Sequence, residues 1–275
     1  MKQTYKLVAS DLDGTFLTKD QRVSPENLAA VAEMERRGVY FVPSTGRCVN
    51  ELPKEVSSIP TLGYVISSDG SVIWDKKREC TVWAEYIPKE LVGFILDTVN
   101  EYPNYPMVHI ANDCYFDKEK HTEPMIKRCR VPDSFVYLAN LADVPLDDYD
   151  GFVRESSSVE MFCIFFENEE DLRDCERRIL DTGLLSVAQS DRSNLEIYVK
   201  SAGKGNALRA LAEHLSIDIS EVIAVGDSTN DATLVKAAGL GLAMGNAYDE
   251  LKSIADEVIC HFSEHSAKYI LEKYL

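Results

Sequence analysis

Lys6-Leu7-Val8-Ala9-Ser10-Asp11-Leu12-Asp13-Gly14-Thr15 is an apolar run that ends in two carboxylates one residue apart, then a glycine and a hydroxyl. Side chains alternate along an extended chain, so Asp11 and Asp13 leave the end of a strand in the same direction. Gly14 lets the backbone turn sharply there without a Cβ clash. Two like charges that close are costly unless a cation lies between them or one holds a proton. Such a pair points to a metal, a proton transfer, or both. A calcium loop of the twelve-residue type is excluded, because it needs glycine at its sixth place and a bidentate glutamate at its twelfth. Counted from Asp11, those places hold Phe16 and Arg22. An acidic turn remains open for this segment taken by itself.

Outward from that stretch, strands and helices alternate. Ser24 and Pro25 have the pattern of an N-cap and a first helical turn, opening a helix over 26–37 that stops at Gly38. Strands follow at 39–42 and 64–67. In the last third a helix over 204–215 precedes a strand at 221–225. A helix over 232–238 leads to a strand at 240–243, and a helix ending at Ala255 leads to a strand at 257–260. Alternation of this kind implies right-handed crossovers and a mostly parallel sheet covered on both faces. The middle is different in character. It reads as a helix over 89–102, strands near Val108 and Cys114, a helix over 120–129, an apolar strand at 159–166, a helix over 168–182 and a strand at 184–188. That is an α+β insert with its own core.

Three further segments belong with Asp11 and Asp13. The second strand ends in Pro43-Ser44-Thr45-Gly46-Arg47, the strand at 221–225 ends in Gly226-Asp227-Ser228-Thr229-Asn230-Asp231, and Lys204 opens a helix between Gly203 and Gly205. Polar residues at the carboxyl ends of parallel strands share one crevice, where open α/β sheets bind ligands. Asp11, Asp13 and Asp227 could not all be ionised there without a cation, and oxygen ligands suit Mg²⁺. A divalent ion and the Lys204 ammonium roughly balance three carboxylates, leaving room for a phosphate that hydrogen-bonds Thr45, backbone amides and Asn230.

Asp11-x-Asp13-Gly14-Thr15, Thr45-Gly46-Arg47, Lys204-Gly205-Asn206-Ala207-Leu208 and Gly226-Asp227-x-x-Asn230-Asp231 resemble the four ordered motifs of the haloacid dehalogenase-like superfamily. Ala243-Met244-Gly245-Asn246-Ala247 and the insert after the third strand resemble its Cof-type phosphatases, those with a type IIB cap. The resemblance implies that Asp11 is a nucleophile forming an aspartyl phosphate, and that Asp13 protonates the leaving alcohol and then activates water. It implies Mg²⁺ held by Asp11, Asp227 and the Asp13 carbonyl. Phosphoryl oxygens would be held by Thr45, the amides of Leu12 and Gly46, Lys204 and Asn230, with Asp231 orienting Lys204 or metal-bound water. Arg47 would face the cap and the rest of the substrate. The chain departs from the pattern at Asp69-Gly70-Ser71, where relatives often have Asn-Gly-Ala. It also departs at Ala232-Thr233-Leu234 and over Ser263-Glu264-His265-Ser266-Ala267.

Composition narrows the rest. The chain has 275 residues, 45% of them hydrophobic and 27% charged, with a formal net charge of −17. Nucleic acid and anionic membranes want basic surface, so neither is the expected partner. No apolar run approaches the ~18 residues of a membrane span, and the N-terminus lacks a signal-peptide core. Seven scattered cysteines without a Cys-x-x-Cys pair suggest reduced thiols in the cytoplasm, not a disulfide scaffold or a zinc site. Cys48 reads as a small buried filler. His261 and His265, four apart, lack a nearby third ligand. The basic cluster Lys118, Lys120, Lys127, Arg128 and Arg130 reads as a solvated face.

The expected fold is α/β, a Rossmann-like parallel-sheet core of 1–82 and 190–275 with an α+β cap domain inserted at 83–189. The expected function is a cytoplasmic Mg²⁺-dependent phosphatase for a small phosphorylated metabolite, sugar phosphates first. A phosphomutase on the same framework and a catalytically silent phosphate-ligand sensor are the alternatives. Substrate identity and oligomeric state are not written in the motifs.

Overall fold

The structure, a computed structural model, describes residues 5–275. Its first strand, Leu7–Ser10, is buried at every position, as befits a parallel sheet covered on both faces. Val8 joins one core with Ala30, Val31 and Met34 of the helix Pro25–Arg36 and Ile270 of the helix Ser266–Tyr274. Leu7 and Ala9 join another, with Ala207, Leu208 and Leu211 of the helix Lys204–His214. A single short strand therefore anchors helices on both sides, each large apolar side chain contributing about 1.5–3 kcal/mol of burial. The helix Pro25–Arg36 begins where its sequence says it should. Ser24 caps it by accepting from the Asn27 amide, and Pro25 fills the first turn.

Five strands form this sheet in the order Glu257–Val258, Leu240–Ala243, Val222–Gly226, Leu7–Ser10 and Tyr40–Pro43, every pair parallel. Ser10 is in register with Val225 on one side and Pro43 on the other. Asp11, Ser44 and Asp227 follow these strands and so leave the sheet at the same edge. The chain proceeds from Leu7–Ser10 to one side first and returns to the other later, which opens a crevice at that point.

The strand Tyr64–Ser67 is present but differs in role from the expected third parallel strand. It meets the parallel sheet through one bridge, Ser44 to Ile66. Its main pairing is antiparallel, with Val72–Asp75, in a three-stranded sheet completed by Cys80–Ala84. Ser68, Asp69 and Gly70 make the reversal, with φ of 48°, 50° and 87°. Three successive left-handed residues turn the chain back on itself, a conformation that hydrophobic periodicity does not announce.

The chain divides into two compact units. The first holds 5–46, Leu52–Trp83 and Gly203–Leu275, and the second holds Arg47–Glu51 and Ala84–Ala202. The second unit is built on a six-stranded sheet in the order Leu185–Ala188, Asn194–Val199, Val159–Phe166, Asn104–Ile110, Asp113–Asp117 and Val144–Leu146. All its pairs are antiparallel except the last. Val159–Phe166 is buried along its whole length because it feeds two cores. Phe162, Ile164 and Phe166 pack with the helices Lys89–Val99, Tyr149–Glu155 and Glu169–Leu180, and Met161, Cys163 and Phe165 pack with Cys129, Val131 and Ala139.

The boundary expected between 189 and 190 lies instead between 202 and 203. The strand Asn194–Val199 is hydrogen-bonded between Leu185–Ala188 and Val159–Phe166, so 190–202 belongs with the second unit. The other boundary falls after Trp83, one residue later than expected, and Arg47–Glu51 joins the second unit as well. The helices Asp133–Leu141 and Tyr149–Glu155 and the strand Val144–Leu146 have no counterpart in the sequence pattern. Among the described residues no helix is long and apolar enough to cross a membrane.

Gly70 is where this architecture has least tolerance. A Cβ there would lie 2.3 Å from the Gly203 carbonyl carbon and 2.4 Å from the Lys204 amide nitrogen, both backbone atoms, at a φ of +87°. Gly70→Ala is expected to cost at least about 2 kcal/mol through strain and displacement of the helix start. A lower urea midpoint with an unchanged slope is the measurement that checks it.

Candidate active site

Lys204 is the hub. It opens its helix, is 1% exposed, and sends Nζ toward three carboxylates. Nζ donates to Asp231 Oδ1 at 2.7 Å and to Asp11 Oδ1 at 3.0 Å, and lies 3.9 Å from Asp69 Oδ1. Burial works against the ammonium, but Asp11, Asp231 and Asp69 outweigh it and hold its pKa well above the ordinary lysine value. A buried cation is tolerable only with such partners.

Each partner is set by local backbone. Asp11 follows Ser10 directly, its amide donating to Val225 O at 3.0 Å, so it is fixed by the strand pairing itself. Asp231 closes the loop after Val222–Gly226. Its Oδ2 accepts from the amides of Asp227 at 3.0 Å and Ser228 at 3.1 Å, in a capping box with Ser228. Asp69 sits in the left-handed reversal, its amide donating to Thr45 O at 3.1 Å. Its Oδ1 accepts from Asn230 Nδ2 at 3.1 Å.

Asp227 stands against the turn Leu12–Phe16. A Cβ on Gly14 would lie 2.3 Å from Asp227 Oδ2, so glycine is what admits the carboxylate. Thr15 Oγ1 donates to Asp227 Oδ1 at 3.4 Å, and Asn246 Nδ2 donates to Gly14 O at 2.8 Å and to Asp227 Oδ2 at 3.3 Å. Ser266 Oγ donates to Thr15 O at 2.9 Å, bracing the same turn from the C-terminal helix.

The electrostatics are those of a site with too many acids. Burial first, then Asp231, raises the Asp11 carboxyl well above the ordinary range in spite of Lys204. Burial and then Asp231 push Asp227 up to about 7, again against Lys204. The charge of Asp13, which is half-buried, adds to the repulsion on both. Carboxylate oxygens of Asp11, Asp227 and Asp231 lie within 4.8 Å of one another, a group that could hold a metal ion. Both oxygens of Asp231 are already engaged by Lys204 and by two amides, which leaves Asp11 and Asp227 as the carboxylates with most to offer. An all-oxygen donor set fits a hard divalent cation.

The structure thus gathers Asp11, Asp13, Lys204, Asp227, Asn230 and Asp231 in the first unit. Thr45 is buried at the same sheet edge, its amide donating to Ile66 O at 2.9 Å, with Gly46 next to it. Leu12 is buried at the start of the turn. Arg47 falls in the second unit, where Nη1 donates to Glu51 O at 3.3 Å. Two contributors have no role in the four motifs. Asn246 is visible in the sequence as part of Ala243-Met244-Gly245-Asn246-Ala247, and Asp69 as a departure from the usual pattern. Other residues that stand out in the sequence have modest roles. His261 caps a short turn and His265 has a φ of 64°, so they share no helix face. Lys118, Lys127 and Arg128 pair with Asp147, Glu123 and Glu167.

A family model described as haloacid dehalogenase-like hydrolase matches residues 8–271. Phosphatase YwpJ of Bacillus subtilis (strain 168) is 30% identical, over 98% of this chain and 100% of that protein. The 5-amino-6-(5-phospho-D-ribitylamino)uracil phosphatase YcsE of the same organism is 29% identical, over 92% and 89%. The solved structure of a haloacid dehalogenase-like hydrolase from B. subtilis has a TM-score of 0.85 at 29% identity, covering 98% of this chain and 100% of that one.

The raised pKa of Asp227 has a consequence for stability. An acid whose folded pKa is about 7, against an ordinary value of 3.8, binds its proton more tightly folded than unfolded. Its penalty is absent below the unfolded value, grows as pH rises between the two, and is complete above about 7. In chelator, Asp227→Asn should therefore melt higher than wild type, by a margin that widens from about pH 5 to about pH 8. A divalent cation should stabilise wild type more than the variant. Thermal melts across that pH range, with and without cation, provide the check.

Proposed function

The chain belongs to the haloacid dehalogenase-like hydrolases and is a phosphoric monoester hydrolase of that type, and from that premise we propose that it is a cytoplasmic Mg²⁺-dependent phosphatase of a small phosphorylated metabolite, with Asp11 as nucleophile. One observation carries the assignment of Asp11: its carboxylate stands at the strand end with Lys204 on Oδ1 at 3.0 Å and an Asp227 oxygen within 4.8 Å. The Asp11 oxygen attacks phosphorus and forms an aspartyl phosphate as the bond to the leaving oxygen breaks. Asp13 gives its proton to that oxygen, then takes one from the water that attacks phosphorus in the second step. Inorganic phosphate leaves, and Asp11 and Asp13 return to their starting states.

A phosphate dianion is repelled by a carboxylate nucleophile, so neutralising charge and fixing an in-line approach are most of the catalysis. Lys204, Thr45, Asn230 and the amides of Leu12 and Gly46 are assigned to the phosphoryl oxygens. Asp231 holds Lys204 in place. Asp11, Asp227 and the Asp13 carbonyl are the proposed Mg²⁺ ligands, and the ion, when bound, offsets charge on the nucleophile and the phosphoryl group. We assign the second unit to covering the reaction against water, and Arg47, next in sequence after Thr45 and Gly46, to the non-reacting part of the substrate. YcsE is named for a substrate bearing a phosphorylated ribityl chain, which supports sugar and sugar-alcohol phosphates as the first class to assay.

Asp11→Asn should lower kcat at least about 100-fold while leaving the circular dichroism spectrum unchanged, since an amide is nearly isosteric but not nucleophilic. Activity above that level would remove Asp11 from the covalent role. A metal series on wild type is the second check. Chelator should stop phosphate release, Mg²⁺ should restore it, and Ca²⁺, with its larger and looser shell, should substitute poorly. Full turnover in chelator would overturn the cation assignment.

A further inference from the structure

The second unit gathers a different set of donors. Cys48, Glu51, His109 and Cys114 are each buried. The Cys48 thiol, a Glu51 carboxylate oxygen and a His109 ring nitrogen lie within 4.8 Å of one another. So do a Glu51 oxygen, the Cys114 thiol and an Asp143 oxygen. Glu51 belongs to both groups. Its Oε2 accepts from the Cys48 amide at 2.9 Å and lies 3.5 Å from His109 Nε2. Both carboxylate oxygens of Asp143 are buried and have no hydrogen-bond partner.

We propose that Cys48, Glu51 and His109, with Cys114 and Asp143 beside them, form a binding site for one divalent ion of the zinc class. A thiol, an imidazole and a carboxylate oxygen are donor types that zinc takes, and thiolate with imidazole disfavours Mg²⁺ and Ca²⁺. Three atoms no more than 4.8 Å apart share a centre at most about 2.8 Å from each, against ~2.0–2.3 Å in zinc sites. The donors need to close by less than about 1 Å, within the reach of side-chain torsions.

The surroundings ask for a cation. Glu51 and Asp143 present oxygens to each other in a buried place, and two ionised carboxylates there need a proton or a metal between them. Buried carboxylate oxygens without partners are otherwise a standing cost. Glu160, fully buried, adds a third acid close enough to act on Cys48.

An ion here is structural. It ties the segment Arg47–Glu51 to the strands Asn104–Ile110 and Asp113–Asp117, where the Asn50 amide already donates to Asn112 O at 3.2 Å. The segment follows Thr45 and Gly46 in the chain, so the staple fixes where Arg47 leaves from.

The test is metal content of the full chain. Wild type is incubated with Zn²⁺ in excess Mg²⁺, desalted and measured by elemental mass spectrometry. It should retain about one equivalent of zinc. The Asp227→Asn variant should retain as much, and Cys48→Ser/His109→Gln should retain essentially none while keeping its circular dichroism spectrum. If the double variant does not fold, wild type loaded with Co²⁺ decides, since thiolate ligation produces near-ultraviolet charge-transfer absorption that Cys48→Ser alone should abolish. Substoichiometric zinc in wild type, equal zinc in the double variant, loss of zinc in Asp227→Asn, or a cobalt spectrum without thiolate bands would each overturn the site.

Discussion

One buried ammonium set among carboxylates organises the first unit. Lys204 alone would be costly to bury, and Asp11, Asp231 and Asp69 would repel one another without it. Its place depends on a helix that starts at the sheet edge, on the reversal at Ser68, Asp69 and Gly70, and on the register that puts Asp11 beside Val225. With Asp227 also present, four acids face one lysine. The apolar strands behind them, buried on both faces, supply the stability against which that imbalance is held. A site so rich in acids is suited to a divalent cation.

Much of this was legible in the chain because it obeys local rules. An apolar run ending in Asp11-Leu12-Asp13-Gly14 can be read as a strand and a turn from alternation and glycine alone. Strand–helix alternation then brings Thr45, Asp227 and Asn230 to the same edge. The central strand of the insert, Val159–Phe166, was legible for a related reason, since 161–166 is an unbroken apolar run too short for a typical helix. What failed to show depends on distant pairing or on left-handed backbone. Asn194–Val199 belongs to the second unit only because Val159–Phe166 waits for it, some thirty residues earlier in the chain. The reversal after Tyr64–Ser67 rests on positive φ at Ser68 and Asp69, residues whose identity permits that conformation without demanding it.

The second unit's thiol and imidazole cluster shows the same limit from the other side. Cys48 with Glu51 and His109 with Cys114 each have short spacing, but the two pairs and Asp143 lie on three separate segments, so no one stretch announces the cluster. Only the sheet that places Asn104–Ile110 beside Asp113–Asp117 sets His109 opposite Cys114. The histidines that do stand out by spacing, His261 and His265, are held apart by a left-handed residue at 265.

Asp69 is subject to a conformational constraint and an electrostatic one at once. Its φ of 50° explains why asparagine or aspartate suits the position, since their short polar side chains tolerate left-handed backbone better than most. Either residue meets the backbone need, but aspartate brings a negative charge and a second acceptor oxygen where asparagine brings an amide donor. Here the carboxylate accepts from Asn230 and faces Lys204, two of the groups assigned to the phosphoryl oxygens. An asparagine oxygen could accept the same hydrogen bond from Asn230, whereas the negative charge 3.9 Å from Lys204 Nζ is what asparagine would not supply. The conformational rule selects the residue class, and the carboxylate it brings adds an acceptor for Asn230 and one more acid beside Lys204.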